Sequence, residues 1–137
     1  MIALAVMASG CAPGMDEEAA TACTTFQQHL DAMRASDERA QGLELARDAA
    51  ATAQESDDDA LADALEDYQH VIVRFALAED DLEAAQARAD DAGGADRADA
   101  EDGLAETEDR LADLIEAGDL VLTHITAGCE DHDVVLD

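Results

Sequence analysis

The sequence predicts an all-α protein: an antiparallel four-helix bundle of two short and two long helices, whose long pair extends past the short pair as a projecting helical hairpin. Three observations point there. The chain has one Tyr, two Phe, no Trp and a single Pro at position 13. Strand-favouring aromatics are therefore thin, while Ala, Leu, Glu and Arg, which lose little side-chain freedom in a helix, dominate. Apolar residues recur at spacings of three and four, and cap and glycine signals cut that periodicity into four segments.

Helix one is expected from about Glu18 to Ala35, because Cys23, Phe26, Leu30 and Met33 form one stripe. Ser36-Asp37 can cap a second helix that carries Leu43, Ala46, Ala50 and Ala53 and stops near Ser56. It is the weakest of the four, with Gly42 near its start and mostly alanine to bury. The third begins after Ser56-Asp57-Asp58-Asp59, whose carboxylates suit a helix N-terminus, and runs to about Asp91 on a stripe of Leu61, Leu65, Tyr68, Ile72, Phe75 and Leu82. Gly93-Gly94 ends it. The fourth starts near Asp96 and carries Leu104, Leu111, Leu114, Ile115, Val121, Leu122 and Ile125 before Gly128-Cys129. Each long helix spans roughly 50 Å.

Folding the long helices back about Gly94 sets residues 68–75 against 113–120. The large apolar residues concentrate there, so the short helices are expected to cover that half. Residues 79–92 and 95–110 offer little beyond Leu82 and Leu104 among alanine and carboxylates, too sparse for a four-helix core. They read as an acidic two-helix arm.

Thirty-five Asp and Glu against seven Arg and no Lys give a net charge of −28 over 137 residues. No basic groove can form, so nucleic acid is excluded as a partner. Anionic headgroups would repel this surface, and the charge favours a cationic protein partner. Two bulk explanations fit such acidity, a proteome-wide solubility bias and adaptation to high salt, and the first is preferred.

The N-terminus reads as a processing signal. An apolar run from Met1 to Ala8 leads into Ser9-Gly10-Cys11 and then Ala12-Pro13-Gly14. Ala8-Ser9-Gly10-Cys11 resembles a bacterial lipobox, which implies cleavage before Cys11 and a diacylglycerol on its thiol. No basic residue precedes the apolar run, so residues 1–10 read as a partial signal peptide whose true start lies upstream. Residues 11–20 are then a flexible tether and 21–137 the bundle domain. The expected location is the cell surface or periplasm, with the membrane reached through the lipid on Cys11.

With Cys11 taken by lipid, Cys23 and Cys129 remain as an even pair in an oxidising compartment, and a disulfide between them is expected. One lies near the start of the first helix and the other at the end of the last. Only an even number of antiparallel helices brings those ends together, which disfavours a fused three-helix reading.

Catalytic and ligand motifs fail one by one. No Gly-x-Ser-x-Gly, His-Glu-x-x-His or phosphate loop occurs. Ala98 and Ala100 stand where a calcium loop before Gly103 needs oxygen ligands. A di-iron bundle needs two Glu-x-x-His motifs, whereas Asp67-x-x-His70 is a single approximation, and His70 reads as a histidine flanking the core. Glu130-Asp131-His132-Asp133 reads as a solvated acidic tail rather than a cation site. A nucleophilic Cys23 beside His29 is opposed by Asp31, Glu17 and Glu18, which supply the wrong charge. The remaining metal candidate is a pair, His29 and His124, which the disulfide would set at similar height on the first and last helices. No cofactor is expected.

Cys11, Cys23, the Cys-Thr-Thr-Phe helix start with Phe26, and the late Cys129 together resemble small Ala-rich lipoproteins and secreted proteins of actinobacteria. That group transfers no catalytic residue. Taken together, the sequence reads as a non-enzymatic, lipid-anchored extracytoplasmic protein with an interaction or spacer role. The alternative is a metal-binding surface protein using acidic or histidine clusters.

Overall fold

The computed structural model describes residues 16–35 and 37–137. They form four helices, α1 (Glu17–Arg34), α2 (Arg39–Gln54), α3 (Asp59–Asp91) and α4 (Asp96–Glu130), and no strand among the described residues. The fold class is as the sequence predicts. Around the bundle α1 packs on α2, α2 on α3 and α3 on α4, while α1 and α4 approach closely at few backbone positions. One of these is the Cys23–Cys129 disulfide, whose Cα atoms lie 5.7 Å apart across 106 residues of sequence. The cysteine pairing expected from the sequence is the one observed.

Helix ends follow the local chemistry. Asp16 caps α1, its Oδ1 accepting from Ala19 N at 3.1 Å, and Asp58 caps α3 by accepting from Leu61 N at 3.0 Å. Both occupy donors that a helix leaves orphaned. α2 starts one or two residues later than the Ser36-Asp37 signal implies, with Glu38 at its N-cap and no side-chain cap bond. Gly94 adopts φ +61° in the α3–α4 turn, where a side chain would be strained. α4 runs through Gly128 and Cys129 to Glu130. Its exit is a Schellman arrangement: Asp133 sits at φ +61° and Val134 N–H bonds Cys129 O at 3.0 Å.

The core sits lower than the sequence indicates. Its largest fully buried side chains are Phe26, Leu61, Leu65, Ile125, His29 and the two cysteines, all toward the disulfide end. The 68–75 and 113–120 segments are instead half-covered, with Val73, Ile115 and Leu120 between 46% and 62% exposed. The reason is the smallness of α2. Ala46, Ala49, Ala50 and Ala53 are buried, and at Gly42 an added Cβ would lie 2.8 Å from Met33 Sδ. α2 therefore seats tightly on α1, and its buried face, Gly42 and four alanines, brings no large side chain into the core.

α2 begins level with Glu79, to which Arg39 is ion-paired. Beyond that level only α3 and α4 continue, tied by Arg110 to Asp81 at 3.2 Å and packed on Ala85 and Thr107. The hairpin stands clear of the short helices by about 18 Å, taking about 1.5 Å per residue from Glu79 to Asp91. This is the projecting arm.

Two outcomes follow from this packing. Opening the Cys23–Cys129 bond frees a loop of 106 residues, so reduction should lower stability by about 5 kcal/mol in the chain-entropy model, read as a fall in the urea midpoint with reductant. In hydrogen exchange, amides of residues 80–110 should exchange well before those of 61–68 and 121–129, because the arm has no third helix to bury it. Uniform protection along α3 and α4 would contradict this.

Candidate interaction surface

Where α1 and α4 stay apart, the flank of the α3–α4 seam is left open. Ile72 and Phe75 on α3 and Ile115, Gly118 and Leu122 on α4 line an apolar groove of about 170 Å³, with Asp119 and Tyr68 at its edge. At Gly118 the two helices come close, since an added Cβ would lie 3.5 Å from Val71 Cγ1. A second shallow depression continues along α4 past Asp119, Leu122, Thr123 and Thr126 to Glu130. The two share Asp119 and Leu122, so their lining residues follow one another along α4, and together they are termed the trough. At the far tip of the arm, Arg88, Asp91, Asp96 and Asp99 surround a wider, charged concavity of about 490 Å³.

Beneath the trough lies a buried polar triad. His29 Nδ1 is 2.7 Å from Gly42 O, and its Nε2 is 3.1 Å from Tyr68 Oη. A carbonyl only accepts, so Nδ1 carries the proton, and the neutral ring takes the Tyr68 hydroxyl proton at Nε2. Phe26 packs edge-on against Tyr68, centroids 4.9 Å apart, and lies tilted by 34° against His29 at 5.3 Å. Burial holds the His29 pKa below 6.5, against the opposing bond to Gly42. Burial, with Asp119 adding to it, pushes Tyr68 up to about 12. Both groups are thus fixed in their neutral forms.

This geometry corrects the histidine pair. His29 is fully buried with both ring nitrogens engaged inside the protein, whereas His124 is exposed on α4. They share no surface on which to hold a metal. His29 lies three residues from Phe26 and seven from Ala22, so it faces the core with them; a stripe traced through Cys23, Phe26 and Leu30 alone overlooks it. Among the described residues, no three His, Cys, Asp or Glu side chains converge on a metal position. His70 is also exposed, not against the core.

The acidic tail is likewise not free in solvent. His132 Nε2 donates to Asp58 Oδ2 at 2.7 Å, with the histidine side chain 9% exposed. Its Nδ1 is buried without a hydrogen-bond partner among the described residues. Val134 and Leu136 pack on the core, Asp137 N–H donates to Gln27 Oε1 at 2.8 Å, and Arg34 reaches the Asp137 carbonyl. Asp16 Oδ2 also accepts from Asp57 N at 2.8 Å. The Ala19 amide, with help from Asp57 and His132, keeps the Asp16 carboxyl below its ordinary range.

Of the sequence-derived positions, Cys23 and Cys129 are brought together and His29 and His124 are not. Cys11 and the rest of residues 1–15 lie outside the described residues. α1 is helical from Glu17, inside the stretch read as a tether. Tyr68, Gly42 and the trough were not identified from sequence; the only signal was that Tyr68, Ile72 and Phe75 share one helical face.

The His29 site has a pH consequence. A base whose folded pKa is depressed contributes stability that is complete above its unfolded value and is lost as pH falls through the folded value. His29→Gln should cost about 1–3 kcal/mol at neutral pH, since its carbonyl and hydroxyl partners are buried. The stability gap between wild type and His29→Gln should narrow as pH falls from about 7.5 to about 5. Urea unfolding of both proteins across that range checks it, and a constant gap would show that His29 titrates alike folded and unfolded.

No family model matches the chain, and neither a curated protein nor a solved structure matches it at a significant level.

Proposed function

We propose that this chain is a lipid-anchored, extracytoplasmic, non-enzymatic lipoprotein that acts by binding a partner at the cell surface. The single observation that carries the reading is the arm, an acidic hairpin standing clear of α1 and α2. A structure that places its least supported helices and a dense set of carboxylates at one pole suits contact better than catalysis. The opposite pole suits an anchor. Asp16 caps α1 beside the α2–α3 turn, and Cys11 lies only five residues before it. That distance spans at most about 18 Å of extended chain, so lipid on Cys11 would hold the disulfide end near the bilayer and turn Gly94 outward. No described helix is long and apolar enough to cross a membrane, so the lipid supplies the attachment in this reading. The charge of −28 favours a cationic protein over nucleic acid or an anionic lipid surface.

Fractionation of the expressing cells, followed by extraction in mild detergent, tests both halves. Wild type should pellet with membranes and, once extracted, retain a basic protein. Cys11→Ser should appear in the medium or as uncleaved precursor. Replacing Asp90, Asp91, Asp96 and Asp99 with Asn should leave the protein in the membrane fraction and weaken capture by the arm. Equal membrane retention of Cys11→Ser and wild type would overturn the anchor.

A further inference from the structure

We propose that the trough along α4 is a docking site for an amphipathic helix with an apolar stripe and Lys or Arg on its flanks. The inference rests on reading the chain as a partner-binding protein and adds a second contact surface besides the arm, with the kind of segment it takes.

The apolar part comes first. Ile72, Phe75, Ile115 and Leu122 line one groove, with Gly118 in place of a side chain that would otherwise fill it. Ile115 is 52% exposed on that lining, an arrangement that leaves apolar area in water unless something covers it. From Ile115 to Glu130 the trough follows α4 for about 22 Å, or about four helical turns. A helix laid into such a groove contacts it through residues at i, i+3, i+4 and i+7.

Charge then selects the occupant. Asp119 sits where the two parts of the trough join, and Glu130 closes its lower end. A second copy of this chain would bring another −28 charges against the same face, and an anionic bilayer would be repelled in the same way. A helix with basic flanks places its cations against these carboxylates while its apolar stripe covers Ile115, Leu122 and Phe75.

The test uses the chain from Cys11 onward with its disulfide intact. The probes are a synthetic Leu/Lys peptide of about four amphipathic helical turns and a scrambled peptide of identical composition without an apolar face, titrated at about 0.15 M salt. The amphipathic peptide should bind with one-to-one stoichiometry and about tenfold or more tighter than the scrambled one. Ile115→Asn and Gly118→Gln should each weaken it by about tenfold. Gly118→Gln guards against misfolding, because its Cβ meets Val71 at an ordinary contact distance and Gln is the better helix former. Val73→Asn and Leu77→Asn, exposed on α3 outside the groove lining, should bind as wild type does. Equal binding of both peptides would show attraction by charge alone and overturn the proposal. So would groove variants that bind normally, or a wild-type dimer in sedimentation that Ile115→Asn dissociates. Loss of peptide binding only when Asp90, Asp91, Asp96 and Asp99 are neutralised would move the contact to the arm, overturning the trough while leaving the partner-binding reading intact.

Discussion

The disulfide between Cys23 and Cys129 is the constraint on which the rest of the structure depends. α1 and α4 make few close backbone approaches, so no continuous helix–helix seam closes that side of the bundle. The covalent bond closes it at one end and leaves it open further up. At the closed end, Phe26, Leu61, Leu65 and Ile125 are sealed from water around the two sulfurs. Burial of each such side chain is worth roughly 1.5–3 kcal/mol. The same end gathers the loose segments. Asp16 bridges α1 to the α2–α3 turn, and His132 reaches Asp58 across the same pole.

Above the disulfide end, stability passes from apolar burial to a polar device. His29, Tyr68 and Gly42 link α1, α3 and α2 through two hydrogen bonds at the level where large side chains give out. The glycine matters twice there. Its missing Cβ lets α2 approach Met33, and its carbonyl accepts the hydrogen bond from His29 Nδ1–H. An alanine-rich α2 costs apolar area but permits close backbone approach, and the buried histidine sits where that approach exposes a carbonyl. Past Glu79 there is no third helix, and the pair holds together through small buried residues and surface ion pairs such as Arg110–Asp81, which are worth little in water. Rigidity therefore falls from the disulfide end to the Gly94 turn.

That gradient sets apart two regions available for recognition. The arm tip is acidic and lightly supported; the trough lies on the better-packed half, apolar from Phe75 to Leu122 and polar from Asp119 to Glu130. Both follow from short helices that stop at Glu79 and bury alanine rather than leucine. Charge also acts on both. With seven Arg among 35 acidic residues, most carboxylates have no cationic side chain to pair with, and a cation brought by a partner meets little internal competition.

By itself, the sequence determined the helical class, the four segments, the Gly94 turn, the arm and the cysteine pairing. Each is local or topological: periodicity, caps, a glycine break, and the rule that only an even number of antiparallel helices returns Cys129 to Cys23. Side-chain environment was decided by the tertiary structure. His29 and His124 stand at similar positions along their helices, but a rotation about the helix axis puts one in the core and the other in water, and a single stripe of large residues leaves that rotation undetermined when alanines share the buried face. His132 gained a partner because the chain reverses after α4 onto the α3 cap, a contact between residues 74 apart. Ile72, Phe75 and Ile115 read as core in the sequence because they are large and apolar. They line an open groove because burial depends on what a neighbouring helix brings over them, and on that flank α1 stays apart from α4.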